Sequence, residues 1–289
     1  MAVNMKAVKR RIKSVNSTKQ ITKAMELVAS SKMRKAKDAA ESSRPYFAEL
    51  KKLLVEITDA NDLSENVFAE RRTVKTPLYI AVAGDRGLAG GYNSNIFKLV
   101  EEAARELNAG DDRSNIKVVA VGKRAVEYFD KHGYDVILKL PQFAETAKTA
   151  GCADIADLCA DLFRKGEVDE VKLFYTAFVS SMTQTALSQQ LLPIAPPEKP
   201  KDVISEVEYD PSPSAVFNRV IPKFLMSLIK CAVEESYASE QSARRTAMES
   251  ATDNAEQMIE HLSLMYNRAR QEKITNEINE IVSGANALA

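Results

Sequence analysis

The sequence has few of the residues that build metal and redox sites. Among its 289 residues there are only three cysteines and two histidines. Cys152, Cys159 and Cys231 form no C-x-x-C pair, and His132 and His261 have no neighbours at metal-ligand spacing. If Cys152 and Cys159 share a helix, they stand about 10 Å apart along its axis, too far for a disulfide. We therefore expect buried free thiols, a reducing compartment and no histidine-based zinc site.

Long apolar runs are absent as well. No stretch approaches the roughly 20 apolar residues that cross a bilayer, and the basic start has no apolar segment behind it, as a secretory signal would. The composition, 45% hydrophobic and 28% charged, is typical of a folded protein. Two isolated histidines support no Ser/His/Asp or Cys/His arrangement, so we predict no catalytic residue.

Glycine and proline are nearly absent from the two ends of the chain. Between residues 3 and 59 there is no glycine, and Pro45 is the only proline. Apolar or small residues recur every three or four positions from Val8 to Ile57 and form a seam along one side of the segment. This spacing predicts a coiled-coil helix about 80 Å long. A second seam of this kind predicts a helix over residues 218–283, about 100 Å long, in which Pro222 marks a kink or the true start.

Two long helices at opposite ends of one chain are most simply arranged as an antiparallel pair. We expect the longer C-terminal helix to extend past its partner, where another protein must cover it. The expected division is residues 1–60 as the N-terminal coiled-coil helix, 77–210 as a globular α/β domain, and 213–289 as the C-terminal coiled-coil helix that pairs with 1–60. Residues 61–76 are expected to be a linker.

The middle of the chain alternates apolar strand patterns with helical patterns. This alternation predicts a mainly parallel sheet in a Rossmann-like domain, with the last two strands forming a hairpin. The predicted strands are 78–83, 116–121, 134–138, 168–179 and 184–192, with a further edge strand at 203–209, and the predicted helices are 96–107, 125–131 and 154–165. The predicted fold class is therefore α/β, with a long antiparallel coiled coil of the two terminal helices.

A glycine-rich loop, Gly84–Gly91, lies between the first predicted strand and the helix after it. Its spacing, G-x-x-G-x-x-G-G, matches neither the dinucleotide fingerprint nor the P-loop. No acidic residue ends the second strand to hold a ribose. A tight turn is the favoured interpretation. The alternative is a nucleotide-binding α/β protein that would need Gly87 or Gly90.

The formal net charge of zero conceals an uneven distribution. Residues 1–37 contain eleven basic side chains and one acid, Glu26, so this segment carries +10 and the remainder −10. A transit peptide is disfavoured because the helical seam already begins at Val8. An acidic protein partner is the favoured explanation. A basic coiled-coil binder of nucleic acid, with steeply salt-dependent affinity, is the alternative.

Three segments resemble one family. Ile274–Ala287 resembles the signature of the gamma subunit of F-type ATP synthases, Ile-Thr-x-Glu-x-x-Glu-x-x-x-Gly-Ala. Ile21–Met33 resembles the N-terminal helix of that family, and Asp85–Gly91 its central motif, with Ala89 where the family usually has Cys.

The resemblance implies a rotor shaft without catalytic residues, metal, cofactor or nucleotide. The implied partners are three alpha and three beta subunits, the epsilon subunit and the c-ring, with no nucleic acid. The implied location is the cytoplasmic side of the bacterial inner or plasma membrane, as a peripheral protein. Residues implied to contact the alpha/beta ring are Met25, Arg244, Gln271 and Thr275, and those implied to contact the c-ring and epsilon are Tyr209 and Asp210.

Overall fold

The computed structural model of the chain describes residues 5–60, 66–107, 113–194 and 208–288. Its elements are α1 Met5–Ala60, β1 Pro77–Val82, α2 Tyr92–Glu106, β2 Lys117–Val121, α3 Lys123–Lys131, β3 Asp135–Leu140, α4 Thr149–Arg164, β4 Glu170–Phe178, β5 Gln184–Leu192 and α5 Pro213–Leu288. The chain divides into two compact units, Met1–Ala29 with Arg245–Ala289, and Ser30–Arg244. None of the helices in the described ranges is both long and apolar enough to cross a membrane.

The unit Ser30–Arg244 contains a five-stranded sheet in the order β3-β2-β1-β4-β5. Strand β1 is central and pairs in parallel with β2 and β4, while β3 continues the parallel side. The hairpin strand β5 pairs antiparallel with β4 along its length. The predicted α/β class, the parallel pairing and the hairpin are confirmed.

Both faces of the sheet are covered, which explains why β1 is apolar at every position. Leu78, Ile80 and Val82 belong to a core shared with α1, α4 and α5. Tyr79 and Ala81 belong to the core on the opposite face, shared with α2 and α3. Successive side chains of a strand alternate between faces, so a strand that is buried on both faces must be apolar throughout.

In the unit Met1–Ala29 with Arg245–Ala289, the described residues form two antiparallel segments, one from α1 and one from α5. The Lys19 ammonium lies 2.7 Å from the Glu256 carboxylate, and the Thr22 and Thr252 hydroxyls are 2.7 Å apart. The same direction holds in the other unit, where Arg44 pairs with Glu235 at 3.1 Å and Phe47 stacks on Phe224 with ring centroids 5.7 Å apart. Buried residues of the first unit are mostly small, namely Val8, Thr22, Ala29, Met248, Thr252, Ala255, Leu262 and Ala269. The predicted antiparallel coiled coil with a small-sided seam is confirmed.

Several predicted boundaries were too short. Helix α2 begins at Tyr92 and helix α4 at Thr149, each several residues before the predicted start. Helix α5 begins at Pro213, so Pro222 lies inside it rather than at its start. Of the predicted strand at 203–209, residues 203–207 lie outside the described residues and 208–209 form no strand.

The predicted linker is more than a connection. Its first residues, 61–65, lie outside the described ranges, and residues 66–76 form neither helix nor strand. Phe68 is nonetheless buried and stacks on Phe163 of α4, with ring centroids 6.3 Å apart. Arg72 donates to the Phe163 carbonyl at 2.8 Å. The stretch therefore fixes α4 to the start of the sheet.

The glycine after β2 illustrates how closely the strand ends pack. Gly122 has φ +93, and a Cβ at this position would overlap the Ala83 carbonyl oxygen. We predict that Gly122→Ala lowers the free energy of unfolding by about 3 kcal/mol, because a glycine-only backbone region and a backbone clash combine. Urea unfolding of the purified chain measures this.

The matched control is Gly133→Ala. Gly133 also has a left-handed φ of +77, but among the described residues no atom lies within 4 Å of a Cβ built there. The conformational cost alone should be about 1 kcal/mol. Equal losses for the two variants would contradict the packing argument.

The three cysteines are free, as expected, with Cys152 and Cys159 buried in α4 and Cys231 half-buried in α5. Burial raises the pKa of Cys152 and Cys159 to about 12 and that of Cys231 to about 11. The thiolate is the reactive form of cysteine. We therefore predict that a thiol reagent at pH 8 labels the native chain slowly, whereas in denaturant it labels all three cysteines rapidly. A rapidly labelled thiol in the native chain would disprove this.

Candidate functional site

The glycine-rich loop follows β1 and leads into α2 at the carboxyl edge of the parallel sheet. The Gly84 amide donates to the Asn93 side-chain oxygen at 2.8 Å, which ties the start of the loop to the first turn of α2. The Tyr92 amide donates to the Ala89 carbonyl at 3.2 Å and closes the last turn of the loop. The predicted tight strand-to-helix turn is therefore present.

Helix α5 packs over this loop, against the backbone of its first glycine, Gly84. A Cβ built on Gly84 would lie 2.7 Å from a Glu240 carboxylate oxygen, so this carboxylate lies directly against the Gly84 backbone. The Arg244 guanidinium donates to the same carboxylate oxygen at 2.5 Å and to the Gly87 carbonyl at 3.3 Å. The side chains of Glu240 and Arg244 are only 5% and 10% exposed. An ion pair thus occupies the position over the loop.

Three serines of α5, spaced about one turn apart, form further hydrogen bonds with the sheet and its neighbouring helix. The Ser236 hydroxyl lies 2.8 Å from the Tyr92 hydroxyl and accepts from the Thr176 amide at 3.2 Å. Ser239 donates to the Thr176 carbonyl at 3.1 Å, and Ser242 to the Ser181 carbonyl at 2.8 Å. These hydrogen bonds connect α5 to β4 and to the turn of the hairpin.

Burial dominates the electrostatics of this face. It raises the pKa of Glu240 above its ordinary value, although the Arg244 charge and hydrogen bond act in the opposite direction. Burial likewise raises the pKa of Tyr92, with a further contribution from the Glu240 charge. The surroundings therefore disfavour any additional negative charge beside Glu240.

A second carboxylate, that of Asp85, lies at the neighbouring strand ends. Asp85 accepts hydrogen bonds from the Lys123 amide at 2.8 Å, at the start of α3, and from the Gln142 amide at 2.7 Å. A helix start of this kind is where a phosphate would bind in a nucleotide-binding sheet. With Asp85 at one strand end and Glu240 at the other, the nucleotide-binding alternative loses its physical basis. Within the described ranges, no group of His, Cys, Asp or Glu could hold a metal ion.

The site residues implied by the resemblance lie in different parts of the molecule. In the helical unit, Met25 is half-buried, whereas Gln271 and Thr275 are exposed and adjacent, with the Thr275 hydroxyl donating to the Gln271 carbonyl at 2.9 Å. In the other unit, Arg244 is the buried partner of Glu240. Tyr209 is half-buried against the core beside exposed Asp210, just before α5.

The basic segment retains much of its charge unneutralised. Four of its lysines make ion pairs, namely Lys19 with Glu256, Lys23 with Glu26, Lys32 with Glu145 and Lys37 with Glu41. Within the described part of the chain, no ion pair involves Lys9, Arg10, Arg11, Lys13, Arg34 or Lys35, all of which are exposed. The surface of α1 is therefore available to an acidic partner.

The roles of Glu240, Asp85 and the serines of α5 were not predicted from the sequence. A signal was present, because Ser236, Ser239 and Ser242 recur every three residues and Glu240 is spaced for an ion pair with Arg244. The same pattern also fits an exposed helix face. Only the close approach to Gly84 distinguishes the two cases.

Known proteins agree with this architecture. A family model described as ATP synthase matches residues 4–288. The ATP synthase gamma chain of Ruminococcus albus is 47% identical over 98% of both chains, and that of Alkaliphilus metalliredigens 43% identical over the full length of both. The sodium-ion-specific gamma chain of Acetobacterium woodii is 42% identical, again over both full lengths.

Solved structures share the fold at lower identity. A chain of the Euglena gracilis mitochondrial ATP synthase aligns with a TM-score of 0.68 and 17% identity over 98% of this chain and 94% of its own. A chain of the central stalk and c-ring of the Tetrahymena thermophila enzyme aligns with a TM-score of 0.59 and 22% identity, over 80% of this chain and 99% of its own. The sequence signature, the paired terminal helices and the full-length relatives lead to one conclusion: this chain belongs to the ATP synthase gamma chain family.

Proposed function

We propose that the chain is the central shaft of an F-type ATP synthase. Its paired helices turn inside a ring of three alpha and three beta subunits, and its sheet domain is the foot beside epsilon and the c-ring. Ion-driven rotation of the c-ring would turn this asymmetric shaft and change the three catalytic sites on beta in sequence. The chain itself is a non-catalytic subunit.

One observation carries the proposal: the last turns of α5 have an apolar face that the described residues leave exposed. Every residue from 270 to 283 is exposed. The face is formed by Ile274, Ile278, Ile281 and Val282, which are 46%, 54%, 72% and 52% exposed. Long helices take most of their stability from tertiary contacts. A surrounding ring of subunits would supply them.

The surface of the helical unit suits a shaft that turns within such a ring. Small residues bring the two helices close together, and the exposed residues of α1 in this unit include Lys6, Lys9, Arg10, Arg11, Lys13 and Lys23. Exposed Ile21, Leu27 and Val28 add a short apolar patch to α1. Shallow contacts of this kind let a shaft move past a sleeve, because no large side chain is locked into a deep pocket.

Individual contacts follow from the family positions. Met25, Gln271 and Thr275 would face the alpha/beta ring, and Arg244, whose side chain is 10% exposed, would contact it as well. The unpaired cations of α1 would face the acidic loop of beta. Tyr209 and Asp210 would meet the c-ring and epsilon. The functional division remains 1–60 and 213–289 for the shaft and 77–210 for the foot.

The location follows from the assembly. An ATP synthase gamma chain is a peripheral part of a membrane complex. The bacterial relatives support the cytoplasmic side of the inner or plasma membrane as its place.

Co-purification tests the proposal. A tagged chain expressed in its source organism is recovered from detergent-solubilised membranes and its partners are identified by mass spectrometry. We expect alpha and beta subunits in equal amounts, with epsilon and the c-ring, at a ratio of three alpha to one tagged chain. Recovery of the chain alone, or with nucleic acid in their place, would refute it.

The exposed apolar face gives a more specific prediction. We predict that the triple variant Ile274→Ser, Ile278→Ser, Ile281→Ser unfolds at the same temperature as the unaltered isolated chain, because these side chains are already in water. It should be retained less well by the alpha/beta ring, by about 2 kcal/mol or more, because apolar burial on assembly is lost. Calorimetry of the chain and pull-down of the ring measure the two effects.

Met182→Ser is the matched control, since Met182 is 90% exposed on the turn of the hairpin. It removes a highly exposed apolar side chain outside the shaft and should leave ring retention unchanged. Equal retention of the triple variant and the control would argue against a sleeve at the end of α5.

A further inference from the structure

Arg244 forms a bridge between helix α5 and the glycine-rich loop. One terminal nitrogen of its guanidinium donates to the Glu240 carboxylate at 2.5 Å, to the Gly87 carbonyl at 3.3 Å and to the Arg86 carbonyl at 3.5 Å. The first acceptor belongs to the helix and the other two belong to the loop. The position of the guanidinium therefore depends on the helix carboxylate.

Glu240 is itself held from the opposite side. Its carboxylate packs on the backbone of Gly84, where an added Cβ would lie 2.7 Å from its oxygen. The Gly84 amide is fixed by Asn93 at 2.8 Å. The carboxylate thus has the loop backbone on one side and Arg244 on the other, and both contacts are nearly closed to water.

We propose that Glu240 is a positioning residue that acts through Arg244, holding its guanidinium against the carbonyls of Arg86 and Gly87 so that helix α5 and the loop turn as one body. This rests on the proposed function, because rotor torque is the load that the contact would carry. Arg244 makes the contact between the helix and the loop, and Glu240 holds the Arg244 guanidinium in position for it.

The Arg244 bridge would resist sliding of helix α5 over the sheet. The apolar contacts between α5 and the sheet are non-directional, so they oppose separation more than rotation of one surface over another. Charge-assisted hydrogen bonds are short and directional. Together with the Ser239 and Ser242 hydrogen bonds to Thr176 and Ser181, the Arg244 bridge attaches α5 to the domain from two neighbouring elements.

A double-variant cycle in the membrane-reconstituted holoenzyme tests this. Glu240→Gln, Arg244→Gln and the double variant are compared with the unaltered chain by ions pumped per ATP hydrolysed, using proton-sensitive dye and radioactive sodium. We expect each single variant to lower this ratio about threefold. The double variant should be no worse than Arg244→Gln alone, because Glu240 acts through Arg244.

The control is Glu235→Gln, which removes the same charge from the same helix. Glu235 pairs with Arg44, whose side chain is 57% exposed, so its loss should leave the pumping ratio unchanged. If Glu240→Gln pumps like the unaltered chain, or if the two losses add, the positioning role is refuted. Failure of the unaltered chain to support coupled pumping at all would instead refute the proposed function.

A second double-variant cycle is used if the Glu240→Gln chain does not assemble into the holoenzyme. Glu240→Asp and Arg244→Lys retain both charges but alter the reach of each side chain. Their losses in pumping ratio should again fail to add, and the melting temperature of each isolated variant separates folding from coupling. A lower melting temperature with an unchanged pumping ratio would reduce the pair to a stabilising contact and overturn the proposal.

Discussion

The close approach of helix α5 to the carboxyl edge of the sheet is the constraint on which the sheet domain depends. Gly84 has no side chain where the Glu240 carboxylate lies, and Gly122 has none where the next strand end meets Ala83. With both glycines in place, the serines of α5 can satisfy the backbone and hydroxyl groups of β4, its hairpin and α2. A long, largely polar helix face is thereby buried without leaving most of its polar groups unpaired.

The position of helix α5 at this edge also limits which ligands the domain can bind. In many open α/β sheets a ligand binds at the carboxyl ends of the strands, but here Glu240 and Asp85 take the places that an anion would need. Here this edge of the sheet serves instead to attach a long helix. This agrees with membership of a family whose gamma chain is non-catalytic. It also explains why a glycine-rich loop without a nucleotide fingerprint is present.

Periodicity and resemblance predicted much of this molecule, because they depend on neighbouring residues. The seam from Val8 to Ile57 and the apolar run of β1 were sufficient for the helix and the strand. Burial of Glu240 was not predictable, since it depends on Gly84, which is distant in sequence. Helix α4 was predicted too short because Gly151 disfavours helix locally, whereas burial of Cys152 and Ile155 overrides that preference.

The central claim is that the polar face of α5 and the strand-end loops form one cooperative unit. Amide hydrogen exchange of the intact chain tests it at Gly84 and Lys123, whose amides bond to Asn93 and Asp85, and at residues 236–244 of α5. The account predicts that these amides share a single, high free energy of opening. Loop amides that exchange orders of magnitude faster than those of residues 236–244 would contradict it.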